Sequence, residues 1–353
     1  MFNQIHTYCE QALLALVFMI VKLGEILNMN VQKFILLMIC VIISSILLGV
    51  TYSQNRQGFQ VNSYIVVDFH SKKILSAKDI DKRVQVASLT KIATSMVVLD
   101  WADATNIDLG NNLIVPQSAS IIGGPNQLGL FPGDQMSIRD ALYSALLGSN
   151  NWAAEALAQH VGKDLLLREG RKGDPVKEFV KNMNALARNN GAKNTKFTNP
   201  HGMDHLGKPP FSCAGDVARL SIYAMNKASF SFMCSQKQRE VSVLTRNGLK
   251  KFLIKNTNKN LGLDGIDGIK TGQTSRAGPC LAMAAEKQAL VKELLDGKKQ
   301  VIPRRLIVVV LGSQDRFTAS RSLLLRGWQK FEAWNSQGRK VLSSNEFLST
   351  RKD

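Results

Sequence analysis

The chain has 353 residues, 45% of them hydrophobic, with 45 lysines and arginines against 27 aspartates and glutamates and a formal net charge of +18. That length allows one large globular domain or two small ones. The basic residues are scattered, which suits a surface facing an anionic cell envelope or a carboxylate-bearing substrate; zinc spacing, an RNA-binding aromatic signature and long Lys/Arg blocks are missing, so no nucleic-acid partner is expected.

The chain opens on a leader. Residues 34–50 are an almost unbroken apolar run, preceded by Lys33 and followed by Thr51, Tyr52 and Ser53. A basic start, an apolar centre and a small-residue exit form the pattern of a secretory signal. The run is slightly long for a signal and slightly short for a comfortable span. Residues 29–53 are therefore read as a signal peptide or an N-terminal membrane anchor, with the signal preferred. Met29 is a second candidate start, which would put residues 1–28 outside the native protein. Either way the mature chain is expected outside the cytoplasm, in the periplasm or cell envelope. Cys9 and Cys40 lie in the leader; Cys213, Cys234 and Cys280 remain, without C-x-x-C spacing, so no disulfide framework or metal site is implied. A Cys213–Cys234 bridge and three unpaired thiols both stay open.

Residues 54–61 are polar and read as a linker. Residues 63–68, rich in β-branched side chains, predict a strand, and 74–77 a second one after a turn. An apolar helix starts at Ser88 and runs to about Asp100. A short strand at 112–115 and turns at 123–126 and 131–134 come next. Ser137, with Asp140 three residues on, caps a helix that stops at Gly148. Residues 152–161 form another helix, and the charged stretch 163–174 is expected to loop out. An amphipathic helix at 175–190 closes on Gly191. A turn-rich loop at 198–203, a helix at 214–225 and a hairpin around Asn247-Gly248 follow. Strands are predicted at 267–274, 280–285 and 306–311, the last two joined by a charged insertion at 286–305 that reads as a long hairpin tip. An amphipathic helix at 316–334 is last, before a polar tail at 335–353. This order predicts an α/β protein, an antiparallel sheet flanked by helices with a helical lobe (109–228) inserted between its halves. A cleft between lobe and sheet is the default place for a site.

Three places in this order carry chemistry. Ser88 and Lys91 are three apart at a helix start, so both side chains share one face. A hydroxyl and an amine held that close can act as nucleophile and base, and the helix's unpaired N–H groups favour the alkoxide. The plain alternative is an N-cap and a surface lysine. Ser149-Asn150-Asn151 is a polar tripeptide wedged between two apolar helices, a costly place unless its side chains have partners or a task. Lys270-Thr271-Gly272 ends a short strand with a cation beside flanking backbone N–H groups.

Ser88-x-x-Lys91, Ser149-x-Asn151 and Lys270-Thr271-Gly272, in that order, are the set of class A β-lactamases and penicillin-binding proteins. Over residues 62–334 the chain resembles the D-alanyl-D-alanine carboxypeptidases, the low-molecular-mass penicillin-binding proteins. The hairpin and helix from Tyr64 to Met96, the Leu128-Gly129-Leu130-Phe131-Pro132-Gly133-Asp134 stretch and Thr198-Asn199-Pro200-His201-Gly202-Met203 all share in the likeness. The resemblance implies a β-lactamase/transpeptidase-like fold and a peptidase domain at 62–334. It also implies removal of the terminal D-alanine from peptidoglycan stem peptides through an acyl-enzyme on Ser88. Lys91 would take the proton, Ser149 relay one to the leaving group, and Asn151 hold the substrate amide and Lys91. Lys270 and Thr271 would bind substrate beside Gly272. The N–H groups of Ser88 and Gln273 would form the oxyanion hole, and Arg316 would meet the terminal carboxylate. β-Lactams would be acylating inhibitors; no metal or cofactor is expected. Membrane attachment, if present, would be N-terminal.

Asn150 and Trp152 depart from the family's usual glycine and aspartate, and Gln273 from its frequent histidine. A β-lactamase would need a deacylating glutamate; Glu178 and Asn182 have the class A spacing but sit in an amphipathic helix and are read as surface residues. An endopeptidase acting on D-alanyl cross-links would carry the same motifs. A catalytically silent muropeptide-binding protein is the non-enzyme alternative, disfavoured by intact Ser88, Lys91 and Lys270. His160 and His201 are read as structural.

Overall fold

The computed structural model describes residues 60–349 apart from 125, 206, 294–296 and 342. The leader, with its signal or anchor, lies outside the described residues. Residues from Gln60 onward form one compact unit. Among the described residues no helix is long and apolar enough to cross a membrane.

Two sheets, both antiparallel, organise the unit. Strands β1 (Val61–Asp68) and β2 (Ile74–Lys78) begin the larger one. Strands β7 (Ile266–Thr274), β8 (Gly278–Glu293) and β9 (Lys299–Ser313) complete it in the order β2-β1-β9-β8-β7. Its centre is buried on both faces, which explains continuous apolar runs rather than alternation. Every residue from Leu306 to Leu311 is fully buried. One face (Ile65, Val67, Ile307, Val309) joins the main core, to which helix α1 (Thr90–Thr105) also belongs. The other meets helix α7 (Arg316–Ser336) at Gly327, where a Cβ would stand 2.6 Å from Val66 Cγ1.

The inserted lobe holds helices α2 (Ile138–Leu146), α3 (Asn151–Arg168), α4 (Pro175–Asn189) and α5 (Ala214–Met225). Ser137 caps α2 by accepting from the Asp140 N–H at 3.0 Å, and Gly191 follows α4 at φ +74°. A short helix α6 (Ala228–Cys234) has no counterpart in the predicted elements. A second sheet, also unforeseen, pairs β3 (Asn112–Ile114) and β4 (Gln135–Ser137) with the hairpin β5 (Gln238–Thr245) and β6 (Gly248–Lys255).

Other expectations are corrected. The chain enters the sheet at Val61, buried and paired with Ser313, so the polar linker ends sooner than expected. The charged stretch after residue 162 stays helical to Arg168, because Asp164 pairs with Arg168 one turn on and accepts the Trp101 indole N–H at 2.7 Å. The charged insertion after Ala285, by contrast, is the long hairpin tip expected, β8 running out to Glu293 and β9 returning from Lys299. The segment read as a tail folds back: Leu348 is buried, its N–H donates to Lys72 O at 2.9 Å, and Glu346 pairs with Lys73. Cys213, Cys234 and Cys280 are free and buried, so the bridge is absent.

Candidate active site

The site begins where β2 leads into α1. Residues Ala87–Leu89 form a single 3-10 turn ahead of the helix, and Ala87 takes a left-handed φ of +50°. That conformation is costly for alanine. It sets Ser88 at the head of α1, half-exposed, with Lys91 fully buried one turn on.

Three oxygens surround the Lys91 amine. Nζ lies 2.9 Å from Ser88 Oγ, 2.7 Å from Asn151 Oδ1 and 2.8 Å from the His201 carbonyl oxygen. The Asn151 amide is oriented by its Nδ2, which donates to the Gly123 carbonyl at 3.2 Å. Burial, and then the charge of Lys270, hold the Lys91 pKa well below its ordinary value. A neutral amine has two N–H bonds and one lone pair. Asn151 Oδ1 and the His201 carbonyl can only accept, so they take the two N–H bonds. The lone pair is left for the Ser88 hydroxyl proton, the arrangement a general base requires.

Asn151 opens α3, and its neighbour Asn150 caps that helix by accepting from the Ala153 N–H at 2.9 Å. Ser149 precedes them, half-buried, at a left-handed φ of +60°. Strand β7 supplies the opposite wall. Lys270 is buried, and Nζ donates to Thr271 O at 3.0 Å. Burial and the nearby Arg316 guanidinium push its pKa down to about 7. Thr271 Oγ1 is 2.7 Å from Thr257 Oγ1. Gly272 packs on the nucleophile turn so closely that a Cβ would stand 2.9 Å from Val86 O and 3.1 Å from Ser88 N. Arg316 Nη1 donates to Gly272 O at 2.7 Å, and Gln273 is exposed beside it. Ser88, Lys91, Asn151, Lys270, Gly272 and Arg316 are therefore linked by contact or field; for Thr271, Gln273 and Ser149 the chain places them next to linked residues.

Sequence reasoning missed the loop at 198–204 as part of this assembly. Asn199 Oδ1 accepts from the Gly202 N–H at 2.7 Å and the His201 N–H at 3.3 Å, and its Nδ2 donates to Met203 O at 2.8 Å. Thr94 Oγ1 donates to Pro200 O at 2.6 Å, and Thr274 Oγ1 to Asp204 Oδ2 at 2.6 Å. These bonds hold the His201 carbonyl on Lys91. The His201 ring accepts from the Met203 N–H at 3.2 Å, and burial pushes its pKa down to about 3, so it stays neutral. The Asn199-Pro200-His201-Gly202 turn signature was the available signal, without a role attached. Glu178 is not the surface residue expected: it is buried, and Arg171 and Lys181 pair with it at 2.8 and 3.3 Å. Asn182 donates to the Glu178 backbone carbonyl at 3.0 Å. His160 stacks edge-on against Trp101.

A half-exposed serine on a buried lysine, between an antiparallel sheet and a helical lobe, is the architecture of penicillin-binding serine peptidases. The family model described as D-alanyl-D-alanine carboxypeptidase matches residues 50–295, and the chain belongs to that family. It is 30% identical over 229 residues to the D-alanyl-D-alanine carboxypeptidase DacF of Bacillus subtilis, a match over 65% of this chain and 54% of the relative. It is 32% identical over 235 residues to a D-alanyl-D-alanine endopeptidase of Pseudomonas aeruginosa, covering 65% of this chain and 68% of that one. The Streptomyces K15 DD-transpeptidase structure superposes with a TM-score of 0.64 at 26% identity, over 78% of this chain and 98% of that one. Penicillin-binding protein D2 of Listeria monocytogenes, in its ampicillin-bound form, gives 0.61 at 25% identity, over 77% and 99%. The chain spans 54% to 63% of the length of the carboxypeptidases DacF of Bacillus subtilis, DacC of Escherichia coli and DacA of Haemophilus influenzae.

Proposed function

We propose that this protein is a serine-type D-Ala-D-Ala carboxypeptidase that trims the terminal D-alanine from peptidoglycan stem peptides. The observation that supports it best is the Lys91 amine, buried beside Lys270 with two pure acceptors and the Ser88 hydroxyl as its partners. Ser88 Oγ attacks the carbonyl carbon of the penultimate D-alanine as its proton passes to Lys91. The oxyanion faces the N–H groups of Ser88 and Gln273. The C–N bond breaks, the leaving amine takes a proton through Ser149, and water then hydrolyses the Ser88 ester. Asn151 and Thr271 hold the substrate backbone, and Lys270 and Arg316 hold its terminal carboxylate. Residues 62–334 are the peptidase domain, residues 29–53 bring it out of the cytoplasm as a signal or N-terminal anchor, and β-lactams acylate Ser88. Cleavage of D-alanyl cross-links, the activity in the name of the Pseudomonas aeruginosa relative, is the second reading.

Fluorescent penicillin is expected to leave a durable adduct on Ser88, located by mass spectrometry, and Ser88→Ala is expected to leave none. Rapid drug turnover would favour a β-lactamase; no adduct on the wild type would sink the peptidase reading. Assays of D-alanine release against cross-link cleavage then separate carboxypeptidase from endopeptidase.

Acylation by penicillin is expected to follow a bell-shaped pH profile. Lys91 acts only when unprotonated, so the rate climbs as pH rises through its depressed pKa. Lys270 attracts a carboxylate only when charged, so the rate falls as pH passes about 7. Stopped-flow labelling across about pH 4 to 10 reads both limbs. A rate still climbing at the alkaline end would show that the Lys270 charge is not used.

A further inference from the structure

Outside the residues given roles so far runs a groove of about 880 Å³ between the loop at 128–134, the β5–β6 hairpin and the start of α3. It exists because the small sheet splays: β4 meets β5 only at Gln135 and Leu244, whereas the β5–β6 hairpin continues to Thr245 and Gly248. The hairpin tip stands clear of the loop at 128–134, and the space between is open.

The lining combines three chemistries. Phe131, 66% exposed, and the half-exposed Trp152 and Phe252 offer ring surface. The exposed Asn247 offers an amide. The exposed Arg246 and Lys250 bring two positive charges, and neither has an acidic partner among the described residues. The acid in the wall, Asp134, is buried and turned to the Phe131 N–H at 2.8 Å, so it does not neutralise them. Trp152 in the groove wall directly follows Asn151, whose Oδ1 touches Lys91, so one helix start serves both the groove and the candidate site.

Aromatic faces pack against the C–H faces of sugar rings, amides pair with N-acetyl groups, and unpaired cations seek carboxylates. We propose that this groove binds the N-acetylated amino-sugar strand to which the stem peptide is attached, with Arg246 and Lys250 meeting the free lactyl carboxylates of neighbouring muramic residues that carry no peptide. The inference rests on the peptidase reading for its substrate, but the groove can be tested apart from catalysis.

Peptide-free glycan strands of alternating N-acetylglucosamine and N-acetylmuramic acid, each muramic residue bearing a free lactyl carboxylate, are titrated against the full chain by calorimetry. Binding is expected, weakened about tenfold by Arg246→Ala with Lys250→Ala and again by Phe131→Ala. No binding, equal binding by the double variant and Phe131→Ala, or equal binding of polyglutamate to the wild type, would overturn the proposal. With substrates, D-alanine release is expected to favour a pentapeptide linked to a strand whose neighbouring muramic residues are peptide-free over the free pentapeptide in kcat/KM, and the double variant to lose that preference. Penicillin acylation stays unchanged and serves as the check of folding; if the double variant fails it, Phe131→Ala decides. Absence of D-alanine release from both substrates would count against the peptidase reading alone, and the strand titration would still decide the groove.

Discussion

Lys91→Met is expected to slow acylation of Ser88 by penicillin about 10³-fold while the protein stays folded. Methionine fills most of the lysine's volume without an amine. Ser88 then has no lone pair to receive its proton, and its hydroxyl is a weak nucleophile unaided. The variant also strips the donor from Asn151 Oδ1 and the His201 carbonyl. Leaving each unsatisfied costs about 1–3 kcal/mol, offset by no longer burying an amine that would rather be in water. The thermal midpoint should therefore fall only modestly, which separates loss of the base from loss of the fold. The measurement is the second-order rate of covalent labelling beside a melting curve. A labelling rate within tenfold of wild type would remove Lys91 from the role of base.

The second large effect is expected far from any reacting atom in the sequence. Gly202→Ala should destabilise the protein by about 3 kcal/mol and slow acylation as well. Gly202 has φ +85°, and a Cβ there would overlap the Ala87 carbonyl oxygen and stand 2.8 Å from Thr90 Oγ1. The collision is with backbone of the nucleophile turn, which cannot swing aside as a side chain could. To accommodate a methyl group, the loop must lift and take the His201 carbonyl off Lys91. Gly170→Ala is the control: φ is +62°, but nothing lies within 4 Å of the added carbon, so only the backbone penalty of about 1 kcal/mol should appear. Denaturant titration of both variants reads the difference. Equal losses would show that the loop yields freely.

The structure also indicates why some of this was legible beforehand. Ser88 and Lys91 are readable because spacing on a helix fixes direction, and the first half of α1 is buried all round. The Ser137 cap and the Asn247-Gly248 hairpin are local rules, satisfied within four residues. The small sheet was not legible because β4 and β5 lie about a hundred residues apart and share one pairing. The docked C-terminal segment depends on Phe347, which bridges to Lys73, and on the buried Leu348, two adjacent apolar residues in a mostly polar stretch. Glu178 has a surface residue's spacing; its burial depends on Arg171, which arrives from the preceding loop. The His201 carbonyl is the least visible of all, since every residue type carries the same atom. Only the turn held by Asn199 aims that one at Lys91.

The order of strands in the larger sheet has a consequence in time. β1 finds its inner neighbour in β9, with Tyr64 opposite Val310, so nearly the whole chain separates two partners in the middle of the sheet. Such distant pairings close late, because the loop entropy must be met before any contact rewards it. Ser88 and Lys91 leave the ribosome early, but the strand bearing Lys270 and Gly272, and then Arg316, follow much later. A partly made chain can form the nucleophile helix yet lacks the wall against which that helix works. The proposed site is thus incomplete on a partly made chain and is assembled only when the last strand closes the sheet.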